Sequence, residues 1–176
     1  ACLQTDALHV WHPATHKRTF QHTPPLVVHG ARGSYIHTDR GELLDAISSW
    51  WCKPLGHQHP DIIRAIQTQL TQFEHVMTAS STFDTLAALA EKLAQLSQLP
   101  RVFFACDGAS AVEIALKLAI HANFVNGRTH ATKFLALKQG YHGETLATLS
   151  VSDLGLYERP YQAFCFPNHF IEVPYT

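Results

Sequence analysis

One stretch narrows the choice of fold more than any other. Arg101–Ala105, with Val102, Phe103 and Phe104, reads as a buried strand, and after Cys106-Asp107-Gly108 the apolar residues Val112, Ala115, Leu116 and Ala119 recur at helical spacing. Lys133–Leu137 supplies a second apolar strand. Strand, helix and strand in that order make a crossover, the connection that joins parallel neighbours. The expected class is therefore α/β: an N-terminal arm and small β-meander, followed by the first part of a mostly parallel sheet with flanking helices.

The flanks fill in this outline. Residues up to Pro24-Pro25 show no apolar period and read as an irregular arm. Leu26-Val27-Val28, Ser34-Tyr35-Ile36-His37 and Leu43-Leu44 are short β-like runs, the last two separated by an Asp39-Arg40-Gly41 turn. Pro60 opens a helical stripe of Ile62, Ile63, Ile66, Leu70 and Phe73, predicting a helix to about His75. A second stripe, Leu86, Leu89, Leu93 and Leu96, predicts a helix capped by Ser81 or Thr82 and closed before Pro100. A further strand is expected at Phe170–Val173. We divide the chain into an arm and small-domain segment, 1–59, and the incomplete first part of a larger α/β domain, 60–176.

Composition removes several function classes. With 46% hydrophobic and 15% charged residues the chain is too apolar to stay disordered. Its 13 Lys+Arg against 14 Asp+Glu leave a formal charge of -1, so no field draws it to nucleic acid or an anionic membrane. No run approaches the roughly 18 apolar residues of a membrane span, and no leader pattern opens the chain. Cys2, Cys52, Cys106 and Cys165 form no C-x-x-C pair, which points to a reducing cytoplasm and away from disulfides or a zinc ribbon. The 13 histidines, notably His9, His12, His57 and His59, come without a completing metal motif and are expected in loops and on the surface.

Two turns carry chemistry. Cys106 to Glu113 joins a strand to a helix, where free N–H groups and the helix dipole favour an anion such as phosphate. The competing reading is a capped helix without ligand, since Ser110-x-x-Glu113 is also a capping box. Asp107 opposes a second anion unless it is turned into a cap or hydrogen bond. Gln139-Gly140-Tyr141-His142-Gly143-Glu144-Thr145 follows the next strand, at the end of the sheet where open α/β sheets bind ligands. Tyr141 there either faces a cofactor ring or packs in the loop. Ser48-Ser49-Trp50-Trp51 is read as extended, with its indoles on opposite sides, one in the core and the other packed or forming a flat wall for a ligand.

Taken together, His9-Val10-Trp11-His12-Pro13, Ser48-Ser49-Trp50-Trp51, Gly56-His57-Gln58-His59-Pro60, Gly108-Ala109-Ser110 and Gly140-Tyr141-His142-Gly143 resemble the class III aminotransferases, of fold-type I. The resemblance follows the order of nearly the whole chain. It implies pyridoxal 5'-phosphate as cofactor, with Gly108, Ala109 and Ser110 at its phosphate, Tyr141 on its ring and at the substrate, and Trp50 at the substrate cleft. It also implies small-molecule substrates and a homodimer. The W-H-P arm and the S-S-W-W element point to the biotin-pathway branch, which implies amino transfer from S-adenosylmethionine to 8-amino-7-oxononanoate, giving 7,8-diaminononanoate.

The chain departs from that branch twice: Ala14 stands where a tyrosine often follows W-H-P, and Glu144 where aspartate usually follows Tyr-His-Gly. These keep open an ω-aminotransferase acting on another diamine or amino acid. By the same resemblance the Schiff-base lysine is expected beyond Thr176. None of Lys17, Lys53, Lys92, Lys117, Lys133 and Lys138 lies in a segment like the family's lysine motif, so the chain alone is expected to be inactive. A non-catalytic piece or assembly module is the rival from a different class.

Overall fold

A computed structural model describes residues 1–174. The chain forms two compact units, Ala1–Ser81 and the residues from Thr82 onward.

In the first unit the expected meander is present. Strands β1 (Val28–Arg32), β2 (Tyr35–Thr38) and β3 (Gly41–Leu44) form an antiparallel sheet in the order β1-β2-β3. Tyr35 pairs with Leu44 and Thr38 with Gly41, so the Asp39-Arg40-Gly41 turn sets the register. Thr38 Oγ1 donates to the Gly41 carbonyl at 2.9 Å and receives Arg40 N–H at 3.1 Å, closing that turn with a side chain.

The arm is not wholly irregular. It holds α1 (Cys2–His9) and α2 (Thr19–His22), short helices with little amphipathic pattern to betray them. His12 Nε2 lies 3.0 Å from the Asp6 carboxylate and the His12 ring stands edge-on to Phe20 at 4.7 Å, which ties the two together. The S-S-W-W segment is also not extended. Ser48–Trp51 forms a turn, α3, with φ of 49°, 47°, 62° and 65°, and both indoles are exposed. Helix α4 (Pro60–Leu70) begins at its proline as expected, with Asp61 in the first turn, but stops before His75. At its end Thr71 Oγ1 bonds back to the Thr68 carbonyl at 2.7 Å, and Thr71 and Gln72 N–H turn to carbonyls three residues back.

The second unit opens with α5 (Asp84–Ser97), whose N-cap is Phe83 rather than Ser81 or Thr82. The Ser81 hydroxyl donates to the Met77 carbonyl instead. Gln98 closes the helix in the left-handed region, ahead of Pro100. Helix α6 (Gly108–Val125) follows the glycine turn, then β4 (Leu135–Leu137), α7 (Leu146–Ser150), a 3₁₀ turn (Arg159–Phe164) and β5 (His169–Ile171).

The parallel pairing is present, but between β4 and β5, with Ala136 opposite Phe170. Residues 101–105 are not a strand: no described segment forms a ladder with them, and Phe103 and Phe104 are exposed. The core of this unit is a short run, Thr148–Ser152, nearly all of it buried. Its polar atoms are satisfied internally, as burial requires. Asn168 Nδ2 donates to the Ser150 carbonyl at 2.7 Å and Asn168 Oδ1 accepts Phe134 N–H at 2.9 Å, so one side chain joins the core to the start of β4.

Candidate active site

The glycine turn is built by Asp107, not by a Ser110–Glu113 box. Asp107 is the N-cap of α6: its Oδ1 accepts Ser110 N–H at 2.7 Å and its Oδ2 accepts the Ser110 hydroxyl at 2.9 Å. Serine therefore lies at the third helical position and answers a carboxylate cap, and Glu113 is released for another task. The Ser110 N–H first, then the Cys106 thiol at 3.1 Å and the Ser110 hydroxyl, hold the Asp107 carboxyl below its ordinary value. Its carboxylate stays ionised but is turned into the cap, the one arrangement in which the sequence left an anion at this turn open. Gly108 and Ala109 N–H lie in the first turn, where no helix carbonyl accepts them, and Ala109 N–H adds the weakest of the hydrogen bonds that lower the Asp107 pKa. The space in front of Gly108 is open, since an added Cβ would meet nothing within 4 Å. Backbone donors, a helix dipole and room beside Gly108 fit a phosphate group.

The Tyr-His-Gly loop is docked onto this turn. Gly143 has φ of 122°, and a Cβ on it would come within 2.6 Å of Ala109 Cβ and 3.0 Å of Ala109 Cα. Only glycine allows both the conformation and the approach. Two residues on, the Thr145 hydroxyl donates to Glu113 Oε1 at 2.6 Å, so α6 and the loop are also joined by side chains. From its other side the loop is fixed to the core region: the Ser152 hydroxyl accepts His142 N–H at 3.0 Å and Asp153 Oδ2 accepts Gln139 N–H at 3.0 Å.

Tyr141, at the loop's centre, keeps its ring exposed while its hydroxyl donates to Glu144 Oε1 at 3.1 Å. Its ring lies 6.0 Å from that of Tyr157 at a tilt of 59°. Loss of hydration and then the Glu144 bond push the phenol above its usual range, so it stays neutral at physiological pH. Glu144 is thus tied to Tyr141. Lys138, at the foot of the same loop, is paired with Glu172 at 2.5 Å, and that pairing raises its pKa. An amine nucleophile needs the opposite shift.

In the first unit, sequence reasoning missed a constellation around Trp50. The Asp45 carboxylate accepts Ser49 N–H at 2.9 Å and the Ser49 hydroxyl at 2.7 Å, and His57 Nε2 lies 2.8 Å from it. His57 is therefore not a surface histidine: its side chain is 12% exposed and that of Asp45 8%. Twelve residues separate the partners, and no motif announces them. The turn they border is costly, because each left-handed L-residue costs about 1–2 kcal/mol.

The Ser49 N–H, then its hydroxyl and His57, lower the Asp45 pKa from 3.8 to about 2. A carboxyl lowered on folding stabilises the fold fully above its ordinary value and loses that contribution as pH falls through the folded one. Thermal midpoints between pH 4 and 2 are accordingly expected to fall less steeply in Asp45→Asn than in the parent. Equal slopes would contradict the assignment. Among the described residues no group of three or more His, Cys, Asp or Glu side chains is arranged to hold a metal, and no helix is long and apolar enough to cross a membrane.

The chain that carries this glycine turn and docked loop is similar to known proteins along nearly its whole length. The model of the aminotransferase class-III family matches residues 16–176. An adenosylmethionine-8-amino-7-oxononanoate aminotransferase of Helicobacter pylori is 36% identical over 171 residues, covering 96% of this chain and 39% of the relative. The crystal structure of the enzyme of that name from Methanocaldococcus jannaschii superposes with a TM-score of 0.91 at 32% identity, over 99% of this chain and 40% of that one. An ω-transaminase of Pseudomonas jessenii in complex with PMP gives 0.86 at 25% identity, with the same coverage. The chain belongs to the class-III aminotransferase family and has the fold-type I architecture expected for it. It spans about two fifths of the length of these relatives.

Proposed function

We propose that the protein carrying these residues is a pyridoxal-phosphate aminotransferase that moves an amino group from S-adenosylmethionine to 8-amino-7-oxononanoate, forming 7,8-diaminononanoate in biotin biosynthesis. The observation that carries the reading is the docking of the Tyr141 loop on the Gly108–Ala109 turn through Gly143. That docking brings the loop bearing an exposed phenol ring against an anion-binding helix start. The names of the matched relatives favour the same substrates.

In this reading Gly108 N–H binds the cofactor phosphate, together with Ala109 N–H, which exchanges its weak bond to Asp107 for it. Ser110 joins them only by giving up its hydroxyl bond to Asp107. Tyr141 stacks on the cofactor ring and borders the substrate, and Trp50 walls the substrate cleft. The cofactor, when bound, supplies the electron sink for amino transfer. These residues anchor, orient and exclude water, and the tether to Glu144 limits rotation of the Tyr141 ring. The same reading assigns residues 1–59 to the arm and small-domain segment and 60–176 to the cofactor-binding domain, although α4 lies in the first compact unit. It also makes the complete enzyme a cytoplasmic homodimer.

The deciding experiment incubates the complete enzyme with 8-amino-7-oxononanoate and S-adenosylmethionine and measures 7,8-diaminononanoate. No product with this donor, but product with another amine, would favour the second reading, an ω-aminotransferase with a different donor. Ala14 and the Tyr141–Glu144 bond are the features that favour it.

Tyr141→Ala is expected to weaken cofactor binding about two- to tenfold, the equivalent of roughly 0.5 to 1.5 kcal/mol for a lost aromatic pair. Tyr141→Phe keeps the ring and loses only the Glu144 bond, so it should cost less. Cofactor titration of both variants checks this, and equal, near-zero effects would make Tyr141 merely structural.

A further inference from the structure

The tryptophan turn is held by side chains, not by glycine. Four successive non-glycine residues, Ser48–Trp51, have positive φ, and such backbone persists only where its surroundings over-determine it. Within the turn, Trp51 N–H reaches the Ile47 carbonyl at 2.9 Å and Lys53 N–H the Ser48 carbonyl at 3.1 Å. Those bonds close a turn of this kind but do not place it. Placement comes from Asp45, whose carboxylate grips Ser49 at both N–H and hydroxyl.

Asp45 is itself anchored twice. Its N–H donates to the Ser34 carbonyl at 2.8 Å, just beyond the end of β3, and its carboxylate meets His57. His57 is bridged to Gly33 by backbone bonds in both directions, 2.7 and 3.0 Å. Gly56 makes this bridge possible: at φ 80°, a Cβ on it would stand 2.9 Å from the Gly33 carbonyl oxygen. Both partners are thus fixed to the turn between β1 and β2, and the tryptophans inherit their position from the sheet.

We propose that Asp45 and His57 are positioning residues for amino transfer, a clamp that grips Ser49 and so sets where Trp50 presents its indole to the substrate. This rests on the reading of Trp50 as a wall of the substrate cleft. The clamp touches neither substrate nor cofactor; it acts through the turn. Removing it lets Ser48–Trp51 relax toward right-handed or extended backbone, which swings the indole away while the phosphate turn and Tyr141 stay intact.

The test uses the complete, cofactor-loaded enzyme with Asp45→Ala, Trp50→Ala and the double variant. Ser49→Ala serves as a milder change should Asp45→Ala fold poorly. Asp45→Ala and Trp50→Ala are each expected to raise the KM for the amino acceptor by about three- to tenfold, the size of one lost aromatic contact. Both should leave kcat and cofactor affinity within about twofold, a smaller change than truncation of a residue acting in the transition state. The double variant should be no worse than either single one, because residues acting through one another are not additive. Fluorine NMR of fluorotryptophan-labelled protein reports indole placement independently of substrate, and the Trp50 signal should shift in Asp45→Ala or Ser49→Ala. An unshifted signal, or full additivity in the double variant, overturns the clamp. A shifted signal with no KM effect from Trp50→Ala overturns the substrate-wall reading instead, and with it the clamp's role in amino transfer.

Discussion

Ala109→Asp in the complete enzyme is expected to weaken pyridoxal phosphate binding on the order of a hundredfold. The expectation rests on charge. A carboxylate placed about 5 Å from a phosphate, at an effective dielectric of about 20, opposes it by about 3 kcal/mol per pair of unit charges. Each 1.4 kcal/mol is about tenfold in affinity. Asp107, held in the cap by three donors, is present in parent and variant alike, so the aspartate at 109 is the added charge that the comparison reads. Bulk must be separated from charge, since Ala109 touches the position a Gly143 side chain would take. Ala109→Asn provides that control: nearly the same volume, no charge, and most of the affinity retained. Unchanged affinity in Ala109→Asp with circular dichroism intact would remove the phosphate from this turn.

The contrast between Asp107 and an aspartate at 109 shows what sequence alone conveys. The glycine turn, the helix after it and the Tyr-His-Gly loop were legible because each is local: spacing, glycine and helical period lie within a dozen residues. Which residue caps α6 was not, since Asp107 and Ser110 both suit the role and only the observed start at Gly108 decides. The strand expected at 101–105 failed for a related reason. Apolarity marks a segment suited to a sheet, but a strand exists through its ladder, and the described residues supply no neighbour for it.

The Asp45–His57 pair lay further from view. Its members belong to different segments, and the turn they hold has none of the glycine or asparagine that usually signals positive φ. In the same way Gly143 is visible as a motif letter, but its reason, a 2.6 Å approach to Ala109, belongs to tertiary structure. The family resemblance pointed to both segments without explaining how either is held. What the geometry adds is dependence: Tyr141 is placed by Gly143 and Thr145 against α6, and Trp50 by Asp45 against the sheet.

The 176-residue chain by itself is expected to transfer no amino group and to show no single lysine that borohydride labels at stoichiometric pyridoxal phosphate. Specific capture of the cofactor aldehyde requires an amine held at that carbon while phosphate and ring are already fixed, and this positioning is a large part of what makes capture specific. In the proposed reading the chain supplies the phosphate turn and the stacking ring, but not the amine. Of its lysines, the one nearest the Tyr141 loop in sequence, Lys138, is engaged by Glu172, and its raised pKa keeps it protonated and poor as a nucleophile. The others lie in segments unlike the family's lysine motif. Exposed lysines react slowly with excess aldehyde, so the cofactor is added at one equivalent, reduced, and located by peptide mapping. Scattered, partial labelling is the expected result. One fully labelled lysine together with amino transfer from any donor would mean that these residues form a complete small enzyme, and that the Lys138–Glu172 pair opens in solution to release the amine or another lysine takes its place.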